Sequence, residues 1–371
     1  MISFLLNILF FGTFVTFLHG SQGNYLTSNQ HGSTIEEDCA FVNGTNSDSD
    51  RRLDKKSIRF MQYNVEWLFT EYYQPSDCPG QGCPWNNVTA AHTHIQSVAK
   101  VVNYVNPDIL SLCEIQGCDE LDELISYLSY KEQYRRYVVQ GEDSATGQNV
   151  GLITKVDPST GELRRTDLRI SYPLPESKCG YEGKGGTTAV SKHYITEFSF
   201  GNMNVALVGA HFLAMPTDPE RCAKREAQAA IIREIVVEYR KKEYEIIIMG
   251  DFNDYDSEIL DINNHFPTSR VLNIVKYGAR SEKKEESHST LSEYLVSCEE
   301  MVQKSERYSL WWDENGDGKV ESSEFAMIDY VLLSPALYSM VEKVEVYHGY
   351  DEGLNIYDSD HYPIIVDISL K

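Results

Sequence analysis

From residue 57 onward the chain alternates short apolar runs, each long enough for one buried strand, with polar or charged junctions. Eight such runs stand out: Ile58 to Val65, Asp108 to Ile115, Asn149 to Ile153, Tyr194 to Phe200, Asn204 to Ala210, Glu245 to Met249, Met327 to Leu333 and Pro363 to Ile368. Helical spacing lies between some of them. Ile95, Val98, Val102 and Val105 share one face, as do Leu121, Leu124, Ile125 and Leu128, and later Ala227, Ala230, Ile231 and Ile235. Helices placed so irregularly argue against a strictly alternating parallel fold. They predict two sheets packed face to face and covered outside by helices, in one domain. A chain of 371 residues that is 42% hydrophobic has enough apolar material to fill that core.

The first 56 residues follow other rules. Residues 2–18 are apolar and uncharged, and Gly20, Ser21 and Gly23 follow, so residues 1–20 read as a signal peptide. Residues 21–56, rich in Ser, Asn, Asp and Gly, read as a flexible leader, and the folded domain is expected over 57–371. No later segment is apolar enough to span a bilayer, so no stable membrane span is expected. Eight cysteines suit an oxidising compartment, and the expected location is extracellular or the secretory-lysosomal lumen. Cys78 with Cys83, and Cys113 with Cys118, are close enough in sequence to close small local loops, while Cys39, Cys179, Cys222 and Cys298 remain unassigned. The sequons at Asn43 and Asn87 would be glycosylation acceptors in such a lumen.

A formal net charge of −23 argues against a general polyanion binder, since such binding rests on Lys and Arg. It does not exclude a nuclease, because cations held by carboxylates can reverse the local field.

Polar residues recur where the apolar runs end. Asn64 ends the first run, Glu114 the second, and His211 the run Asn204 to Ala210. Asp251 and Asn253 follow Met249, Asp329 lies within Met327 to Leu333, and Asp360-His361 precedes the last. Singly, each is more often a turn former or a satisfied polar group. Together they supply what phosphoester hydrolysis needs: hard oxygen ligands for Mg or Mn, a group acting on water, and donors for the phosphoryl oxygens.

With these residues in place, several stretches resemble the endonuclease/exonuclease/phosphatase superfamily. Gln62 to Phe69 is similar to its opening strand, Asp108 to Glu114 to the strand delivering a metal-binding Glu, and Gly209 to Phe212 with Arg225 and Gln228 to the region of its first catalytic His. Gly250 to Asp254, Ile328 to Ser334 and Ser359 to Pro363 complete the set in the family's order. The resemblance implies a four-layered α/β sandwich of two packed mixed β-sheets flanked by helices. It implies that Glu114, Asn64 and Asp360 form the metal site, and that Asp251 and Asn253 position water and phosphate. His361, oriented by Asp329, would act on phosphate or water, and His211 would donate toward the departing oxygen. One departure is Gln116, where pancreatic-type deoxyribonucleases carry an Arg. Lys192 is a candidate replacement cation, although a lysine on a strand is more often solvated. His92, His94 and His193 fall outside every matched motif and are read as structural.

A second metal signal runs from 313 to 324. Asp313, Asn315, Asp317, Glu321 and Glu324 occupy positions 1, 3, 5, 9 and 12 of a calcium loop, with Gly318 at 6 and Lys319 at 7 offering its carbonyl. Flanked by strand-like sequence, it reads as a structural Ca loop at a hairpin tip. The charged segment Glu282 to Glu300 reads as a solvated loop or surface helix.

The leading expectation is a monomeric, secreted, Mg- or Mn-dependent phosphodiesterase with nucleic acid as substrate. A sphingomyelinase-like enzyme acting on a lipid headgroup is the alternative, and an exposed apolar hairpin beside the cleft would favour it. A non-catalytic calcium-binding module is the third possibility. Tyr72, Tyr73 and Trp85 are rim candidates, although aromatics in such a loop more often pack.

Overall fold

The computed structural model describes residues 39, 49–70, 85, 87–278, 294–313, 320–349 and 359–370. All but the first 35 residues of the chain belong to one compact unit.

The strands, in chain order, are β1 (Ser57–Leu68), β2 (Ile109–Ile115), β3 (Arg135–Val138), β4 (Asn149–Thr154), β5 (Ile170–Tyr172), β6 (Gly186–Thr188), β7 (Lys192–Phe200) and β8 (Met203–His211). They continue with β9 (Glu245–Asp251), β10 (Val296–Ser297), β11 (Leu310–Trp311), β12 (Phe325–Ala326), β13 (Asp329–Leu333), β14 (Val341–Val346) and β15 (Ile364–Ser369). Six form one sheet in the order β14-β15-β1-β2-β4-β3, and five form a second in the order β10-β13-β9-β8-β7. Both are mixed: β1–β2 and β8–β9 run parallel, while β1–β15 and β9–β13 run antiparallel. All eight apolar runs became strands of these two sheets. Their inner faces supply one continuous buried core, including Tyr63, Leu112, Val208, Ile248 and Val331.

Helices close the outer faces, giving the four-layered sandwich. The first, α1 (Val88–Val105), buries Ile95, Val98, Val102 and Val105, and its first turn is capped by Asn87 Oδ1, which accepts from Ala90 N at 2.9 Å. It is followed by α2 (Cys118–Ser126). The longest, α3 (Pro219–Lys241), starts at Asp218, whose carboxylate accepts from Arg221 N, and carries Pro219 in its first turn. A fourth, α4 (Val271–Tyr277), packs beside it. No helix among the described residues is long and apolar enough to cross a membrane.

Several sequence readings need correction. Cys113 does not pair with Cys118: Cys113 is free and buried between the sheets, whereas Cys118, at the start of α2, bonds Cys39. Another disulfide among the described residues joins Cys179 and Cys222. The charged segment Glu282 to Glu300 is not solvated over Leu295 to Glu299, because Ser297 belongs to β10 and Glu299 is fully buried, accepting from Val331 N at 2.8 Å; residues 282–293 lie outside the described residues. Part of the expected leader is tied to the domain. Arg51 holds Asp157 at 2.8 Å, and the Arg52 guanidinium lies over the Phe200 ring.

Candidate active site

Parallel strands β8 and β9 bring His211 and Asp251 into register, antiparallel pairing sets Asp329 opposite Asp251, and Lys192 stands opposite His211. The other sheet contributes Asn64 from β1 and Glu114 from β2. Glu114 sits at a β-bulge with φ 65°, where one extra residue turns its carboxylate out of the strand's alternation and toward the cleft. Two glycines allow this crowding. A Cβ on Gly250 would lie 1.9 Å from Ala210 O, and one on Gly209 would strike the Tyr194 ring at 2.1 Å.

The two sheets meet at Asn64, whose amide nitrogen donates to Glu114 Oε1 at 3.2 Å and to Asp251 Oδ2 at 3.1 Å. Its oxygen accepts from Glu66 N at 3.1 Å, so a ligand role for Asn64 requires the amide to turn over. Glu114 Oε2 accepts from Trp67 N at 3.3 Å. His211 Nε2 lies 3.5 Å from Asp251 Oδ2 and 3.9 Å from Glu114 Oε1. His361 Nε2 lies 3.9 Å from Asp251 Oδ2 and 3.8 Å from Asp360 Oδ1, while its Nδ1 meets Asp329 Oδ2 at 2.7 Å. Asn253 N donates to Asp251 Oδ1 at 2.8 Å, and its side chain donates to Phe212 O at 3.1 Å.

The electrostatics are those of crowded, buried charge. Burial and the neighbouring Asp329 push the Asp251 carboxyl up to about 7. Burial also raises Asp360, to about 6, with Glu114 adding to the shift. Burial disfavours charge on His361, but Asp329, Asp360 and Asp251 outweigh it and hold the ring well above the ordinary histidine range. His211 goes the other way, lowered by burial and by the Lys192 ammonium, and so stays neutral near pH 7. A neutral ring can still donate one N–H.

Lys192, read from sequence as more often a solvated charge, is buried. Its Nζ lies 3.5 Å from His211 Nε2, donates to Gln148 Oε1 at 3.0 Å, and stands 3.6 Å from Asp143 Oδ2. Gln116 instead fixes backbone, accepting from Thr70 N at 3.0 Å. Arg225, fully buried, donates to the carbonyls of Leu213, Met215 and Pro216 at 3.1 Å each, holding the loop after His211. Ser309 was not singled out in the sequence, yet its hydroxyl touches the Asp329 carboxylate.

The histidines read as structural are engaged elsewhere: His94 Nε2 with Val65 O, His193 Nδ1 with Val190 O, and His92 with Glu123, each at 2.7 Å. Trp85 packs on Trp67 and Phe69 rather than lining a rim. Tyr72, Tyr73, Cys78, Cys83, Asn43, Asn315, Asp317 and Lys319 lie outside the described residues. The strands flanking the calcium-type loop do form a hairpin, Leu310 pairing with Ala326 and Trp311 with Phe325. Within it, Glu324 accepts from the Trp311 indole at 2.9 Å.

The donor chemistry of the cleft fits a hard divalent cation, because Glu114, Asp251 and Asp360 are oxygen donors whose mutual repulsion awaits a counter-charge. Donor atoms of Asp251, Asp329 and His361 also lie within 4.8 Å of one another. Two of those, Asp329 and His361, already hold each other by hydrogen bond.

A mixed α/β sandwich with this cleft defines a phosphoesterase-type chain. The chain belongs to the endonuclease/exonuclease/phosphatase family, whose sequence model matches residues 61–361. Among solved structures it is similar to truncated TDP2 from Caenorhabditis elegans, at 17% identity and TM-score 0.48, covering 84% of this chain and 97% of that one. A family protein from Bacteroides thetaiotaomicron is 15% identical at TM-score 0.47, with 84% and 94% covered. TDP2 of D. rerio, complexed with single strand DNA product, is 13% identical at TM-score 0.47, with 84% and 98% covered. No curated protein sequence matches the chain.

Proposed function

We propose that the chain is a secreted, divalent-metal-dependent phosphodiesterase, with a nuclease acting on DNA or RNA as the leading reading. The observation that carries it is the convergence of Asn64, Glu114, His211, Asp251 and His361, from both sheets, with side-chain contacts between 3.1 and 3.9 Å. Secretion is supported by the disulfides Cys39–Cys118 and Cys179–Cys222.

Glu114 and Asp360, with Asn64 beside them, would hold Mg or Mn. Such an ion supplies Lewis acidity and charge neutralisation at the phosphoryl oxygens. Asp251 and Asn253 position the attacking water and the phosphate. His361, kept charged and oriented by Asp329, donates to the scissile phosphate. His211, neutral and beside Lys192, donates a hydrogen bond toward the departing oxygen. The calcium-type loop Asp313 to Glu324 would stiffen the hairpin next to this site.

The second reading is a lipid phosphodiesterase of sphingomyelinase type. One observation favours it: the hairpin of β11 and β12 lies beside the cleft, with Trp311 N donating to Asp360 O at 2.8 Å, and the next residue, Trp312, is 64% exposed. The deciding experiment incubates the purified chain with plasmid DNA, RNA and sphingomyelin vesicles, with Mg or with chelator, beside an Asp251→Ala control. Nucleic-acid cleavage that needs Mg and Asp251 supports the nuclease, and cleavage confined to sphingomyelin supports the second reading. Cleavage that survives the chelator or the substitution overturns both.

A further inference from the structure

We propose that Ser309 is a positioning residue for the reaction, acting through Asp329 to set the orientation of His361; the proposal rests on the phosphodiesterase reading above. Asp329 Oδ2 accepts two hydrogen bonds, one from His361 Nδ1 at 2.7 Å and one from the Ser309 hydroxyl at 2.9 Å. Its other oxygen, Oδ1, is buried and has no hydrogen-bond partner among the described residues. The carboxylate plane is therefore fixed through one oxygen. The terminal torsion of an aspartate is broad and nearly two-fold, so an aspartate held by a single donor can rotate and exchange its oxygens. Ser309 supplies the second donor that prevents this.

The hydroxyl is itself fixed. Ser309 Oγ accepts from Ile328 N at 3.1 Å and from Asp329 N at 3.0 Å, which aims its proton at the carboxylate. Its backbone ties the same place together. Ser309 N donates to Ala326 O at 2.8 Å, and Tyr362 N donates to Ser309 O at 2.8 Å. One fully buried serine thus spans the hairpin, the strand carrying Asp329 and the segment carrying His361. A purely structural role would account for the backbone bonds, but the hydroxyl proton goes to the carboxylate oxygen that His361 uses.

The test compares wild type, Ser309→Ala, Asp329→Ala, the double variant and His361→Ala on whichever phosphodiester the assay above identifies, with Mg present. Ser309→Ala is expected to lower kcat about tenfold and leave KM within about twofold. In the Asp329→Ala background the same substitution is expected to change kcat less than about twofold, because the group it acts through is gone. Losses that multiply, or a KM change that accounts for the whole loss, overturn the proposal. So does wild-type kcat in Ser309→Ala while His361→Ala is inactive. If His361→Ala retains full activity, the phosphodiesterase reading itself fails, which is a separate outcome. Should Ser309→Ala not fold, Ser309→Cys keeps the size and weakens the donor: a lowered kcat supports the proposal and an unchanged one overturns it.

Discussion

Lys192 Nζ stands 3.5 Å from His211 Nε2, because antiparallel pairing of β7 with β8 sets the two residues directly opposite each other at the cleft end of the sheet. Few lysines are this buried, and this one keeps its charge company with Gln148 and, at 3.6 Å, Asp143. It is a fixed positive group among carboxylates, where a phosphoryl oxygen would need one.

Lys192→Met keeps the stem and removes the charge. Loss of one preorganised donor to a phosphoryl oxygen is expected to lower kcat by about 100-fold. Steady-state kinetics of the purified variant check it, and a wild-type kcat would reduce Lys192 to an anchor for Gln148 and Asp143.

The Asp329–His361 pair predicts a second loss. Asparagine at 329 keeps the shape but removes the anion that holds the imidazolium, so Asp329→Asn is expected to cost about 10²-fold to 10⁴-fold in kcat. Near-ultraviolet circular dichroism should stay native, and full activity in a folded variant would sever the pair from the chemistry.

Much of this was legible from the chain. Each of the eight apolar runs formed a strand because its β-branched residues are buried on both faces, as in Glu245 to Met249, where Ile246, Ile247 and Ile248 are all covered. The two edge strands of the six-stranded sheet escaped notice for the opposite reason. Arg135–Val138 and Val341–Val346 carry charges on their open sides and give no apolar run. Most of the candidate site could be read because its carboxylates and imidazoles sit at strand ends. What was not visible depends on register. Lys192 looks like any strand lysine until β7 is paired with β8, and Ser309 like filler until the hairpin meets Asp329. Cysteine spacing misled at one pair, since Cys113, on β2, faces the core between the sheets and Cys118, at the start of α2, reaches Cys39.

Metal should register as stability before any substrate is added. Asp251 and Asp360 are raised by burial and crowding, so a cation among them relieves repulsion that the folded state otherwise bears. Saturating Mg, at about 100 times Kd, is expected to add about 2.7 kcal/mol. Melting curves with Mg and with chelator check this. Glu114→Gln with Asp360→Asn should abolish the difference, and an equal rise in that variant would place the ion elsewhere.

Glu299 gives a pH dependence that does not run through the cleft carboxylates. Fully buried behind β13, it accepts from Val331 N at 2.8 Å and from the Ser297 hydroxyl, and burial pushes its carboxyl up to about 7 from an ordinary 4.5. The folded state therefore binds a proton more tightly here than the unfolded chain. Between about pH 4.5 and 7 the native state holds more protons than the unfolded one, so this residue's contribution falls as pH rises through that window. The full swing is on the order of 3 kcal/mol, and it is complete once the pH exceeds the folded value. Glu299→Gln keeps a neutral side chain at every pH and should flatten the decline in melting temperature between pH 5 and about 7.5, leaving the variant the more stable protein at the upper end. Parallel melting curves for the two proteins across that range would mean that Glu299 ionises at its ordinary value, with solvent reaching it.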